Sequence, residues 1–221
     1  MRILISGFEP FGGHAINPTE YLLEAVQNYA FADIGVELRT VLLPVHYDEC
    51  VDLLVREAEA FQPNAIIMCG LAAGRSAVSL ERVAVNVKSV ELDAEYADNR
   101  NSRPRDMPIR EGGADGLFST LPIRKMTERL LDNGIPAVIS NTAGTFICNN
   151  TMYGMLDYLQ TNHLNVRAGF VHFPASTQMA VHKPTLPSLP MDLMTRALQL
   201  IIRTTAEQLH HDAERLDPAS A

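Results

Sequence analysis

The segment Asn64-Ala65-Ile66-Ile67-Met68-Cys69 is apolar at every position after the first, and the glycine-bearing stretch Gly70-Leu71-Ala72-Ala73-Gly74-Arg75 follows it. A short run without polar alternation fits a strand covered on both faces, which requires helices on both sides of a sheet. Runs of the same kind recur at 2–6, 36–43, 83–87, 137–140 and 166–172. Segments with helical spacing separate most of them, at 18–29, 47–61, 116–133, 149–161 and 188–211. Within 47–61, Val51, Leu54, Val55 and Ala58 form one stripe. The alternation predicts an α/β fold, a three-layer α/β/α sandwich with a largely parallel central sheet.

A chain of 221 residues with 47% hydrophobic content and no sharp change of composition is expected to form a single domain over 1–221. Residues 88–115 are polar and aperiodic, which marks a functional loop or a hairpin insertion that packs between subunits. The tail 213–221 is expected to be flexible. The net charge of −8 comes without any lysine or arginine block, so neither nucleic acid nor a membrane surface is an expected partner. Cys50, Cys69 and Cys148 are an odd number without Cys-x-x-Cys spacing, which suggests no disulfide framework and no zinc site. A reducing cytoplasm fits that usage, and the apolar start Met1-Arg2-Ile3-Leu4-Ile5 lacks a small-residue cleavage site of an export signal.

Unusual residues gather just past the strands. Gly7-Phe8-Glu9-Pro10-Phe11-Gly12-Gly13 follows the first, Gly70 to Arg75 the third, Asn141 to Cys148 the fifth, and His172-Phe173-Pro174 ends the sixth. In an open parallel sheet the carboxyl ends of the strands form the ligand-binding edge. Cys148 opens a helical stretch, where free N–H groups and the helix dipole favour a thiolate and lower its pKa, although a small buried residue is an equally ordinary use. The amide of Cys148 could donate to a developing oxyanion, and Gly144 with the pair Asn149-Asn150 suggests a tight approach to the helix. His172 could be a satisfied core histidine or the base that takes the thiol proton. Glu81, on a buried face, could pair with Arg82 or Arg75, or accept from His172 and fix its tautomer. The other histidines, at 14, 46, 163, 182, 210 and 211, receive no role. The first glycine-rich loop matches neither phosphate-binding pattern, and its phenylalanines suggest flat walls for an uncharged ring or simple packing under a loop.

Taken in order, Phe8 to Gly13 with Asn17-Pro18-Thr19, Gly74-Arg75 ahead of Glu81 to Asn86, Ser140 to Asn149, and Gly169 to Pro174 resemble the pyrrolidone-carboxylate peptidases, also called pyroglutamyl-peptidase I. The resemblance runs from about residue 3 to 174. It implies a cysteine exopeptidase that removes an N-terminal pyroglutamyl (5-oxoproline) residue through a thioester, with Glu81, Cys148 and His172 as catalytic residues. It implies a lactam held by the rings of Phe11 and Phe146, by a residue near Asn17 and by main-chain groups, with Phe8, Gly70 and Leu71 as adjoining contacts. It also implies an α/β/α sandwich, no metal, no organic cofactor, peptides with N-terminal pyroglutamate as partners, and a cytoplasmic homotetramer. Two stretches depart from the family pattern. Val87-Lys88-Ser89-Val90-Glu91-Leu92 stands where the family carries an arginine in an Asp-Ala-Arg-Ile-Pro-Asp-like run, and Phe173-Pro174-Ala175-Ser176-Thr177-Gln178 replaces a His-x-Pro-x-x-Pro-like one. The fold could alternatively be kept as a non-catalytic binding protein for a small lactam or modified peptide end.

Overall fold

The computed structural model describes residues 1–29, 31–90 and 97–216. In chain order the elements are β1 (Arg2–Phe8), α1 (Pro18–Gln27), β2 (Glu37–Leu43), α2 (Glu49–Phe61), β3 (Ala65–Leu71), β4 (Val78–Glu81), β5 (Val83–Val85), β6 (Gly116–Phe118), α3 (Ile123–Asp132), β7 (Ala137–Ser140), α4 (Ile147–Thr161), β8 (Arg167–Phe173), β9 (Ala175–Ser176), α5 (Thr177–Ala180), β10 (Ser188–Leu189) and α6 (Met191–Leu216). The central sheet has six strands in the order β2-β1-β3-β8-β4-β7, parallel throughout except between β8 and β4. Local chemistry sets the element ends. Asn17 caps α1 by accepting from the Thr19 amide at 3.1 Å, with Pro18 at the first helical position, and α2 stops at Gln62 in the left-handed conformation (φ 52).

The pleat divides each strand between two helical layers. Ile3, Ile5, Ile67, Cys69, Val78, Leu80, Val171 and Phe173 pack with α1, α3 and α6 in one apolar cluster. Leu4, Phe8, Ile66, Met68, Ala168 and Phe170 pack with α2 and α4 in the other. Because side chains alternate strictly along a strand, parity also assigns the remaining residues. Gly70 on β3, Glu81 on β4 and His172 on β8 all fall on the α2–α4 face, as does the start of α4 itself.

Several expectations need correction. The strand expected at 83–87 is not in the central sheet; β4 takes that place, the chain leaves it after Glu81, and Val83–Val85 pairs instead with Gly116–Phe118 in a two-stranded antiparallel ribbon. Glu81 therefore owes its orientation to β4 and not to the valines that follow. The helix expected from 116 begins at Ile123, since Pro122 suits a helix start while Gly116 to Phe118 is extended. The helix expected over 188–211 runs from Met191 to Leu216, so residues 213–216 of the supposed flexible tail are helical; 217–221 lie outside the described residues. The segment 88–115 returns on itself, with Lys88 bridging Met107 in antiparallel fashion and the Val90 amide donating to Pro104 O at 2.9 Å. Within it, 91–96 lie outside the described residues, and with them Glu91 and Leu92 of the departing stretch. Finally, β4 and β7 run against β8, so not every segment of the site leaves a carboxyl end at one edge. Both strands are four residues long, and that shortness keeps their ends within reach.

The ribbon is tied to α4 through one buried side chain. Asn149 Oδ1 accepts from the Val85 amide at 2.9 Å, and Asn149 Nδ2 donates to Val85 O and Val87 O, each at 2.9 Å. Substituting Asn149→Leu leaves the Val85 amide and Val87 O without this partner, while Val85 O keeps the Val87 amide at 2.8 Å, and the expected cost is about 2–3 kcal/mol. In thermal unfolding followed by circular dichroism this should appear as a fall of about 4–12 °C in Tm. A variant as stable as the parent would mean that water replaces the side chain at no cost.

Candidate active site

Cys148 sits in the first turn of α4, which begins after an extended Phe146 with no side-chain cap, so its amide is among the free N–H groups of a helix start. Its sulfur lies against the sheet. A Cβ built on Gly70 would stand 2.9 Å from Cys148 Sγ and 2.7 Å from the Phe170 ring, so only glycine lets the sulfur approach the strand this closely. Gly70 is in register with His172 on the adjacent strand. Cys148 and His172 consequently open on one cavity of about 520 Å³, together with Phe11, His14, Arg75 and Phe146.

Behind His172 lies a buried ionic cluster. Glu81 has no exposed surface and His172 has 4%, and His172 Nδ1 stands 2.7 Å from Glu81 Oε1. The carboxylate can only accept, which makes Nδ1 the protonated nitrogen and leaves Nε2 as the basic one. The same Oε1 accepts from Arg75 Nη1 at 2.6 Å, while Arg75 Nη2 donates to Thr142 O at 3.2 Å. Both partnerships considered from the sequence thus coexist at one oxygen. Arg82 instead donates to Asn141 Oδ1 at 2.7 Å.

The ionisation directions follow from these neighbours. Burial raises the Glu81 carboxyl, but the hydrogen bond of His172, its charge when the ring is protonated, and hydrogen bonds from Ser140 and Arg75 outweigh it and hold the group below its ordinary range. Burial lowers His172 against the opposing pull of Glu81, with the charge of Arg75 adding to the lowering, so the resting imidazole is neutral at pH 7. The Cys148 thiol is pushed up to about 12, by burial first and then by Glu81 and Cys50; Arg75 and a backbone hydrogen bond offset only part. The direction is opposite to the depressed thiol expected from the helix start, because burial and the Glu81 carboxylate both disfavour the thiolate.

Beside the sulfur are the aromatic walls. The rings of Phe11 and Phe146 lie 5.9 Å apart at 37°, and Tyr47 meets Phe146 edge-on at 5.7 Å. The cavity narrows here into a recess of about 10 Å³ touched by Phe8, Asn17, Val45, Leu71, Phe146 and Cys148. Phe8 is otherwise a core residue, 6.4 Å from Phe170. Asn17 is fully buried and already engaged, accepting from Thr19 N and Thr19 Oγ1 and donating to Glu9 O at 3.1 Å.

Some of the construction was invisible in the sequence. Glu9 Oε1 accepts from the Val45 amide at 3.1 Å and from Asn99 Nδ2 at 2.6 Å, and Asn99 N donates to Val45 O at 2.8 Å. This joins the loops carrying Phe11 and Tyr47 to a turn within the polar insertion. That turn is closed by Asp98, which accepts from Arg100 N at 3.0 Å and Ser102 N at 2.6 Å. An Asp followed by Asn, Arg and Asn is a turn signal, but its docking partner 89 or more residues away leaves no local mark. The closeness of Cys148 to Gly70 and the role of Tyr47 were likewise illegible.

A sequence model of pyroglutamyl peptidases matches residues 1–208. The chain is similar to the pyrrolidone-carboxylate peptidase of Halalkalibacterium halodurans, 44% identical over 201 residues that cover 90% of this chain and 96% of the relative. It is 39% identical over 203 residues to that of Clostridium perfringens, covering 92% of each chain. Among solved structures, a pyrrolidone carboxyl peptidase of Pyrococcus furiosus superposes with a TM-score of 0.88 at 35% identity, covering 95% of this chain and 100% of the other. The pyroglutamyl peptidase I of Bacillus amyloliquefaciens superposes with a TM-score of 0.86 at 32% identity, covering 93% and 97%.

A raised thiol pKa means a smaller thiolate fraction at neutral pH than a free cysteine has, with an ordinary value of about 8.5. Cys50 and Cys69 are fully buried, whereas Cys148 is half-buried and opens on the cavity, so labelling by iodoacetamide should report Cys148. The rate, taken as the difference from Cys148→Ala, is expected to climb without a plateau from about pH 7 to 9.5. Levelling off below about pH 8 would show that the helix start outweighs burial after all.

Proposed function

We propose that this chain, which belongs to the pyroglutamyl peptidase family, is a cysteine exopeptidase that hydrolyses the bond after an N-terminal pyroglutamyl residue through a thioester, with Cys148 as nucleophile. The observation that carries the reading is the His172 Nδ1–Glu81 Oε1 pair at 2.7 Å, opening with Cys148 onto one cavity beside Phe11 and Phe146.

The chemistry follows from the resting charges. With thiol and imidazole both neutral, the proton moves to Nε2 of His172 as the sulfur attacks the pyroglutamyl carbonyl carbon, and Glu81 stabilises the imidazolium that forms. Negative charge develops on the carbonyl oxygen near the free amides at the start of α4, Cys148 N–H among them. The imidazolium returns its proton to the leaving nitrogen, the C–N bond breaks, and the thioester remains. Water then attacks with His172 again as base, releasing pyroglutamate and the thiol.

Recognition rests on a neutral ring. A pyroglutamyl group has no free α-amine and no charge, so it enters an apolar recess at low cost, whereas open-chain glutamate would have to shed its hydration. Flat contact on both faces of a ring needs about 7–8 Å between walls, twice an ordinary contact distance. The rings of Phe11 and Phe146 are 5.9 Å apart, so they separate when the lactam enters. Phe8, Asn17, Gly70 and Leu71 complete the proposed binding region, Asn17 by fixing the loop and Gly70 by admitting the sulfur.

The family resemblance also supports a homotetramer in the cytoplasm. No helix among the described residues is long and apolar enough to cross a membrane, and Phe118 on the ribbon and Val138 on edge strand β7 are exposed. Sedimentation equilibrium should return four times the chain mass of 24.4 kDa; a monomer would reject the assembly.

Turnover of a pyroglutamyl chromogenic amide tests the chemistry. Cys148→Ala and His172→Ala are expected to lose activity, and Glu81→Gln to lower kcat by about 10²–10⁴. Rapid quenching of the wild type should trap one pyroglutamyl group on Cys148. Equal turnover by wild type and Cys148→Ala would reject the nucleophile, and lactam binding without turnover would leave a binding protein.

A further inference from the structure

Resting on the reading above, we infer that Arg75 is a positioning residue for the reaction: its guanidinium supplies the fixed positive charge that keeps Glu81 ionised beside a neutral imidazole, and it ties that pair to the loop leading to Cys148. The geometry is specific. Arg75 leaves the end of β3 and reaches Glu81 Oε1 through Nη1 at 2.6 Å and Thr142 O through Nη2 at 3.2 Å. Glu81 is fully buried, its Oε2 has no hydrogen-bond partner among the described residues, and the Ser140 hydroxyl on the adjacent strand donates to Thr142 O at 3.0 Å. Oε1 therefore carries the contacts of both His172 and Arg75.

The need for a cation follows from the reaction cycle. A base must be neutral before it takes a proton, yet a buried carboxylate beside a neutral ring lacks a counter-charge and tends to protonate. A protonated Glu81 would no longer hold the Nδ1–H tautomer. Arg75 removes that difficulty, since a guanidinium stays charged at every working pH. It is one-third exposed, with a 33% side-chain accessibility, so its own charge remains solvated while its Nη1 enters the site. The charged or titratable groups facing His172 are Glu81 from β4, Arg75 from the β3–β4 loop and Cys148 from α4, and His14 lines the outer cavity. Arg75 lowers both His172 and Cys148, so its loss shifts both in the same direction, upward.

The test compares kcat/KM against pH for wild type, Arg75→Lys and Arg75→Gln on the same chromogenic amide. Arg75→Gln is expected to move the acidic limb up by about half to one unit, so its deficit is about 3- to 10-fold larger at pH 6 than at pH 8. Arg75→Lys should keep the limb within about 0.2 units of wild type, because the charge remains. An unmoved limb in Arg75→Gln, or equal shifts in both variants, would overturn the assignment. If Arg75→Gln does not fold, Arg75→Met takes its place with the same expectations. The Glu81 carboxyl is also titrated by ¹³C NMR in each protein: an upward shift in Arg75→Gln but not in Arg75→Lys supports the role and no shift rejects it. That measurement stands even if the wild type proves inactive, an outcome that would reject the peptidase reading alone.

Discussion

A carboxylate without exposed surface must be compensated within the protein, and Glu81 is the group around which the site is organised. Its Oε1 takes one N–H from His172 and one from Arg75, at 2.7 and 2.6 Å. The first contact sets the tautomer of the imidazole, and the second reaches on to Thr142 and so to the segment ahead of α4. Removing Arg75 would leave a buried carboxylate without a counter-charge, which is far costlier than losing a surface ion pair. The cluster thus couples folding to the orientation of the imidazole.

Sheet parity brings these groups together from distant parts of the chain. Strict alternation places Gly70, Glu81 and His172 on the α2–α4 face, so α4 needs only to start near the end of β3 for its first turn to meet them. Gly70 then decides how near. Its missing side chain is the space that Cys148 Sγ and the Phe170 ring occupy, and the Phe170 ring in turn packs 4.8 Å from that of His172. Asn149 anchors the same turn of α4 to the ribbon, so the residue after the cysteine holds the helix in place.

Electrostatics in the site oppose one another. Arg75 and a backbone hydrogen bond favour a thiolate, while burial, Glu81 and Cys50 favour the thiol, and the second set prevails. The imidazole is neutral for a related reason, burial outweighing its acid partner. A neutral pair demands less of the fold at rest than a buried ion pair would. In the proposed mechanism it also lets proton transfer coincide with attack, when the helix start has a developing oxyanion to stabilise.

Apolar runs such as 64–69 and the helical stripes between them were sufficient for the α/β class and for most elements, because covered strands and amphipathic helices each bury apolar surface with their own period. The ordered motifs around Glu81, Cys148 and His172 were legible too, since each is local. Pairing was not. Val83–Val85 has a strand's composition wherever it pairs, and only the break between Glu81 and Val83 and the partner Gly116–Phe118 send it to a ribbon instead of the sheet. Arg75 and Arg82 were equal candidates for Glu81 until the strand direction placed one at its oxygen and the other at Asn141. The thiol's ionisation depended in the same way on burial and on a carboxylate 67 residues earlier in the chain. Residue type and spacing act along the chain, while desolvation, charge pairing and close approach depend on distances that only the folded chain defines.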